Sequence, residues 1–358
     1  VTDTLGGVTK SVQPNKLQQW SVTFPALEAS TKPITLKVES TNGLKRTVKD
    51  ILVGDVWYLT GSPQLTSEWA YSQRGKDADV PEPMPLVREF KRRTKADRFA
   101  TPRKRRFETG GGKYRSYWAT ADFSKEGQGV TMFAYTFAKT LGRERVPQGF
   151  MTMSSGRGGK DNVSSYASPL SWTSFDGVKD LKHPAFRARL KELCVQYPGS
   201  EVAQQAVTDH LQEVRAFVQQ ITRLAQQGAD SAKFPLKAPG FPTAGKSDDV
   251  PIDTIPTYAH NWNVSPHPPM AVAGDIWIPS PANIGPNSAD YAAEMQAYAK
   301  SLPATYGQAD VQLLYAQPSP ALVEGIKAPK IPGAAIVTFD EWPQSLEQLA
   351  QQLAERAK

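Results

Sequence analysis

The sequence predicts an α/β fold in which helices cover both faces of a parallel sheet. Over residues 54–358, short continuous apolar runs alternate with segments of helical periodicity, as they do in parallel α/β proteins. Residues 1–53 differ, because their apolar residues alternate with polar ones in the pattern of half-buried strands. The chain is therefore expected to consist of a small N-terminal β segment over 1–53 and an α/β domain over 54–358.

In the N-terminal β segment, two alternating stretches and one turn predict strands. Apolar residues alternate over 20–24 and again over 34–38. Asn42 and Gly43 then form the dipeptide that most favours a two-residue hairpin turn, so another strand is expected over 44–48.

The first elements of the α/β domain are two buried strands with a helix between them. A continuous apolar run at 56–59 predicts the first strand. Helical spacing of apolar residues over 130–141, closed by Gly142, predicts the helix. Residues 149–153 form the next apolar run and predict the second strand.

The remaining elements continue this alternation. Apolar runs predict strands at 270–278, 311–315 and 334–339. Helical periodicity predicts a long helix at 202–227, a helix capped by Ser288 and a last helix that begins at Pro343. Residues 229–269 are rich in Pro, Gly and Asp and predict a long ordered loop.

Ligands of parallel sheets bind in the crevice outside the carboxyl ends of the strands. Functional residues are therefore expected in the loops that follow the predicted strands, at 60–66, 154–160, 279–285 and 340–343.

The composition excludes several classes of protein. With 39% hydrophobic and 22% charged residues among 358, the chain is globular and not disordered. It contains no apolar run long enough to cross a membrane. Cys194 is the only cysteine, which excludes intrachain disulfides and cysteine-held metal centres, and four histidines leave little for a histidine-rich site. Neither a cofactor nor a metal is expected.

Positive charge is concentrated in one segment, a predicted insertion over 88–115. It holds twelve Lys or Arg against three acidic residues, a net charge of +9, whereas the whole chain has +7. A uniformly basic surface favours nucleic acid, but one basic segment on a near-neutral body does not. The insertion is expected to be a solvated loop or to dock on an acidic protein or polymer.

Four blocks of sequence carry a family resemblance. Residues 54–61 are similar to a GDVWLCSG block, 146–156 to VPVGLI…SSWGG, 274–283 to IWYQGESN, and 340–343 to DIHP. In this order the blocks resemble the sialate O-acetylesterase-like carbohydrate esterases, members of the SGNH hydrolase superfamily. The resemblance spans nearly the whole chain and implies a flavodoxin-like, three-layer fold. Because most members are exported, it also implies an extracytoplasmic or secreted location.

In that family a serine attacks an ester carbonyl, a histidine accepts the serine proton and an aspartate orients the histidine. The resemblance puts Pro63 at the nucleophile position and Trp342 at the histidine position. Proline has no hydroxyl, and an indole N–H cannot accept a proton. A further acidic position of the family is occupied by Pro281. The triad is therefore expected to be missing.

Other positions of the family motif are retained. The resemblance keeps Asp340 as the aspartate, Asn283 in the pocket, and a loop glycine that is either Gly156 or Gly158. The sequence thus favours a catalytically eroded carbohydrate-esterase-like protein that serves as a binding or structural module, with carbohydrate as a candidate partner. Trp342 is expected to be mostly buried in the former substrate space.

The alternative is an active O-acetylesterase, a serine hydrolase in which Ser62 takes the place of the missing nucleophile. His260 or His267 would then supply the base. Pro63, which directly follows Ser62, has no N–H to donate to an oxyanion, and this counts against the alternative.

Overall fold

The structure is a computed structural model, and it describes most of the chain. The described residues are 1–16, 20–62, 65, 81–91, 117–123, 129–153, 168–178, 201–235, 237–240, 257, 259–267, 270–279, 284, 288–341 and 346–358. Elements are named below only within these ranges.

The N-terminal segment forms a four-stranded antiparallel sheet. Its strands are β1 (Thr2–Leu5), β2 (Val8–Ser11), β3 (Ser30–Glu39) and β4 (Lys45–Val53), in the order β2-β1-β3-β4. The predicted hairpin is present: Gly43, at φ +86°, closes the β3–β4 turn by donating its N–H to the Ser40 carbonyl at 3.0 Å.

The strand predicted over 20–24 is absent, because residues 20–29 lie outside any strand. Trp20 is 42% exposed and Leu27 37% exposed. Alternation stabilises a strand when one face is buried, and here neither of these side chains finds such a face.

The central sheet has seven strands. They are β5 (Asp55–Gly61), β6 (Met84–Lys91), β7 (Tyr117–Ala121), β8 (Gln148–Thr152), β9 (Gly274–Ile278), β10 (Gln312–Pro318) and β11 (Ala335–Phe339). Their order is β11-β10-β9-β5-β8-β6-β7, and every neighbouring pair is parallel except β6–β7. The predicted α/β class with a mostly parallel sheet is confirmed.

Helices lie on both faces of this sheet. The helices of the described residues are α1 (Met132–Leu141), α2 (Pro169–Trp172), α3 (Phe175–Val178), α4 (Glu201–Gln226), α5 (Tyr291–Tyr306) and α6 (Leu346–Ala357), with a π-helical turn at His260–Val264. Most described side chains of α4 are exposed. Among the described residues, no helix is both long and apolar enough to cross a membrane.

The two faces are separate apolar cores. The first face, which carries Trp57 and Leu59, is covered by α1 and α6. The second face, which carries Tyr58 and Trp277, is covered by α2, α5 and the π-helical turn. Because the side chains of a strand alternate in direction, β5 contributes to both cores.

The predicted loop over 88–115 is wrong in its first four residues, which belong to β6. Here Val87 and Glu89 are buried on the first face and Phe90 packs on the second, so the charged residues lie within a normal alternating strand. The remainder of the insertion, 92–115, lies outside the described residues. Within the loop predicted over 229–269, Ser231–Lys233 forms a 3-10 turn and His260–Val264 the π-helical turn.

Candidate functional site at the carboxyl edge of the central sheet

The carboxyl ends of β5, β8 and β9 are neighbours at one edge of the sheet. β5 is paired in parallel with β8 on one side and with β9 on the other. Three of the four loops in which functional residues are expected begin at these ends, and the loop after β11 begins at the same edge.

The turn out of β5 is fixed by Gly61 and Ser62. Gly61 has φ +103°, a region that side chains rarely adopt, and a Cβ there would lie 2.3 Å from the carbonyl oxygen of Ile278. The N–H of Ser62 donates to that same oxygen at 2.7 Å, and its carbonyl accepts from the N–H of Leu65 at 3.1 Å. The turn therefore has no room for a side chain at position 61, and it holds Ser62 against β9.

Ser62 is 1% exposed. A nucleophile must meet its substrate and its base, so the accessibility of this hydroxyl decides what it can do. In this conformation the hydroxyl is closed off from solvent.

His260 lies in the π-helical turn and is buried. Within the part of the chain that the structure describes, neither of its ring nitrogens has a hydrogen-bond partner of normal geometry. Burial lowers the pKa of His260 to about 4, and the adjacent Asn261 side chain offsets this only in part. The imidazole is therefore neutral at pH 7 and makes no hydrogen bond to Ser62.

His267 is buried on the second face between two aromatic rings. Its ring centroid lies 6.0 Å from that of Tyr58 and 5.9 Å from that of Phe90, in edge-on arrangements. Both partners pair in register with Met151, so His267 sits over the middle of β8. Ser62 comes four residues after Tyr58, just past the end of β5. At about 3.3 Å per residue, it therefore lies about 13 Å from Tyr58 along the strand direction.

Asp340 directly follows β11 and is exposed. β11 is separated from β5 by β10 and β9, so at about 4.8 Å between strands the two strand ends are about 14 Å apart. The ends of β5 and β11 are therefore too far apart to place Asp340 beside Ser62.

A buried polar cluster that the sequence did not predict lies beneath this edge, on the second face. Asp275 of β9 accepts hydrogen bonds from Tyr298 and Tyr306 of α5, each at 2.7 Å, and from Thr60 at 3.2 Å. Burial raises the pKa of Asp275 to about 6, and the hydroxyl donors counteract this only in part. Asp275 is fully buried and has several donors, so it cross-links β5, β9 and α5.

One signal in the sequence points to this cluster: a single carboxylate inside the apolar run at 274–278. A buried acid needs hydrogen-bond donors, so its presence in a core strand predicts partners on the covering helix. Which helix supplies them is not visible in the sequence.

The other predicted site residues, Pro63, Gly156, Asn283 and Trp342, lie outside the described residues, as do Gly158 and Pro281. Their placement stays a prediction. Among the residues that are described, no group of three or more His, Cys, Asp or Glu is arranged to hold a metal ion.

Comparisons with known proteins show a likeness of fold to solved structures. No protein-family model matches the chain, and no curated protein matches it. Among solved structures, the chain is similar to the crystal structure of a carbohydrate acetylesterase from Xanthomonas citri, with a TM-score of 0.58 and 17% sequence identity. The match covers 99% of this chain and 66% of that protein. At this identity the likeness establishes a shared α/β fold with the esterase.

Proposed function

We propose that this protein is a catalytically eroded relative of the carbohydrate esterases that acts as a binding or structural module. The observation that carries the proposal is the state of Ser62, which is 1% exposed and whose backbone is bonded to β9. Ser62 directly precedes Pro63 in the sequence, and in this conformation its side chain is closed off from solvent.

The histidines support the same proposal. A serine hydrolase needs a base within hydrogen-bond reach of the nucleophile, about 2.6–3.2 Å between heavy atoms. His260 has no such hydrogen bond, and His267 packs between two rings near the middle of the sheet. A neutral imidazole with a pKa of about 4 is also a weak base.

The sequence supports it through the two replaced positions. Pro63 and Trp342 stand where the resembled family has its nucleophile and its histidine. Loss of either group in such a triad lowers turnover by about a millionfold.

In this proposal, Asn283, Asp340, Trp342 and the loop glycine at 156 or 158 form the remnant of the esterase pocket. The fold likeness to a carbohydrate acetylesterase favours carbohydrate as the partner and an exported location. The chain would consist of a β segment over 1–53 and an α/β domain over 54–358, with the basic segment 88–115 as a docking site for an acidic protein or polymer.

Measuring acetate release from p-nitrophenyl acetate and from O-acetylated sugars tests the proposal. We expect background rates for the native protein, for Ser62→Ala and for Ser319→Ala. Ser319 is the matched control, because it follows β10 at the same edge and is buried at 7% exposure.

Turnover by the native protein that is lost in Ser62→Ala and kept in Ser319→Ala would overturn the proposal. That pattern would identify the protein as an active O-acetylesterase with Ser62 as nucleophile, and Ser62 would then have to become accessible to substrate during the reaction.

A further inference from the structure

A groove of about 420 Å³ lies at the opposite, amino-terminal end of the central sheet, on its second face. Strand β4 forms one wall, and β5, β6, β7 and β8 form the floor and the other wall. Its volume falls within the range of about 300–1,000 Å³ that is typical of small-molecule sites. All of the residues that line the groove are described, and none of them lies at the carboxyl edge of the central sheet.

A β-bulge shapes the wall that β4 provides. The β3–β4 register advances two residues in β3, from Ile34 to Leu36, against three in β4, from Ile51 back to Val48. Two residues of β4, Lys49 and Asp50, therefore lie opposite a single residue of β3. Asp50 has φ +59° although it is not glycine. Bulges redirect a side chain and often border functional sites, and strained backbone is retained where surrounding contacts hold it.

Arg88 of β6 holds the bulge across the groove. It donates to the Asp50 carbonyl at 2.6 Å and to both Asp50 carboxylate oxygens at 2.9 Å. The Arg88 side chain is 20% exposed and that of Asp50 63% exposed. The pair thus ties the N-terminal sheet to the central sheet while it leaves carboxylate surface open to solvent.

The floor of the groove combines a bare backbone with an aromatic ring. Gly149 of β8 has no side chain, so the Trp118 ring packs close to the backbone there: a Cβ at position 149 would lie 3.6 Å from the ring. Next to it, Trp118 of β7 is 46% exposed, an unusual state for tryptophan, and its ring is fixed against Phe90 with centroids 5.5 Å apart.

The charges that line the groove cancel. The charged lining residues are Lys49, Asp50, Asp55 and Arg88, two of each sign. Asp50 is paired with Arg88, and Asp55 is paired with Arg143 at 2.5 Å. An anionic or cationic ligand would therefore gain little from this groove, whereas a neutral ligand with hydroxyl groups could bond to the exposed carboxylate oxygens.

We infer that this groove binds a neutral sugar ring, with Trp118 stacked on the C–H face of the ring and the Asp50 carboxylate accepting hydrogen bonds from its hydroxyls. The site goes beyond the proposed function, because it shares no residue with the eroded pocket and does not depend on the state of Ser62.

Isothermal calorimetry on the full chain tests this, with cellohexaose, xylohexaose, mannohexaose and hexa-N-acetylchitohexaose as neutral probes and hexagalacturonate as the anionic one. At least one neutral probe should bind, and a rise in salt from about 0.05 M to about 0.5 M should leave its affinity unchanged. Trp118→Ala should weaken this binding about tenfold or more. Trp20→Ala, which removes another half-exposed tryptophan outside the groove, should leave it unchanged.

A second variant keeps Trp118 and fills the floor. A Cβ at Gly149 would lie 3.4 Å from Val56 and 3.6 Å from Trp118, which are ordinary contacts, so Gly149→Ala should fold and should weaken binding several-fold. Melting temperatures verify that each variant is folded.

The inference is overturned if no neutral probe binds, if only hexagalacturonate binds, or if Gly149→Ala and Trp118→Ala retain native affinity. These outcomes are independent of the esterase assay: ester hydrolysis dependent on Ser62 would reject the proposed function and leave the groove in place.

Discussion

The two faces of the central sheet bury polar groups in different ways. On the first face, Glu89 accepts hydrogen bonds from the Thr131 N–H at 2.6 Å and the Thr152 hydroxyl at 2.5 Å, and the surroundings are aromatic and aliphatic. On the second face, several ionisable side chains are buried together with tyrosines: Asp275, His260 and Glu294.

This difference indicates which face makes the free energy of unfolding depend on pH. Burial disfavours the charged form of each second-face group, which raises the pKa of Asp275 to about 6 and of Glu294 to about 8, and lowers that of His260 to about 4. For Glu294 the neighbouring Asp290 adds to the rise, while a Ser168 hydrogen bond opposes it. The free energy of unfolding should therefore depend on pH through the second face.

The signs for Asp275 and His260 are opposite. Asp275 contributes stability that is fully present below its unfolded pKa of 3.8 and is lost as the pH rises through 6. His260 contributes stability that is fully present above its unfolded pKa of 6.5 and is lost as the pH falls through 4. Between pH 4 and pH 6 these two contributions oppose each other, and Glu294, whose pKa is raised like that of Asp275, adds to the loss of stability as the pH rises.

The largest effect is expected on the first face. Phe137 is fully buried against Trp57, Phe133 and Phe150, with ring centroids 5.1–6.0 Å away. Phe137→Ala should lower the free energy of unfolding by about 3–5 kcal/mol through lost contacts and a cavity. Urea titrations at pH 4.5 and pH 7 should give the same loss. A loss that changes by more than about 1 kcal/mol between the two pH values would contradict the conclusion that only the second face makes stability depend on pH.

The next effect is that of His260→Gln. Glutamine is not titratable, so the variant lacks the contribution that makes the native protein less stable in acid. Relative to the native protein, its free energy of unfolding should improve by about 3 to 4 kcal/mol as the pH falls from 7 to 4. A pH-independent difference would show that His260 keeps its ordinary pKa and is open to solvent in the folded protein.

A slightly smaller effect of opposite sign is expected for Asp275→Asn. Tyr298 and Tyr306 donate to different oxygens of Asp275, so the amide oxygen keeps one of these bonds and the amide N–H2 donates to the hydroxyl of the other tyrosine, while the buried charge is removed. Relative to the native protein, the free energy of unfolding should improve by about 3 kcal/mol as the pH rises from 4 to 7. The double variant with His260→Gln is the control, because neither opposing contribution remains. If Asp275→Asn were equally disruptive at both pH values, the cluster would act through hydrogen bonds alone.

Most buried strands of the central sheet were predictable from the sequence, because strands covered on both faces are continuously apolar. β5, β8, β9, β10 and β11 all appear at or near their predicted positions. β6 and β7 were missed, since β6 carries Arg88 and Glu89 and both strands flank the most basic part of the chain. Ser288 does not cap α5; its hydroxyl donates to the Glu324 carbonyl at 2.9 Å.

The site was predictable only as an edge of the sheet. Parallel topology alone puts the loops after β5, β8 and β9 together, but it does not reveal that Tyr298 and Tyr306 reach back to Asp275. The groove is harder still to predict from the sequence, because it depends on a bulge at Asp50 that is bonded to Arg88, 38 positions away. Contacts of this kind arise from packing between elements and leave no local pattern.

The position of β5 in the middle of the sheet has a consequence for how the chain folds. Asp55 pairs with Gln148, 93 positions later, and Thr60 reaches Ile276 after 216 positions. On the ribosome, the central strand therefore emerges long before either neighbour exists, with an apolar surface on both sides and two open edges. Such distant pairing slows folding and exposes the nascent chain to aggregation. The strand that positions Ser62 thus stays without one of its two partners until β9 has been synthesised.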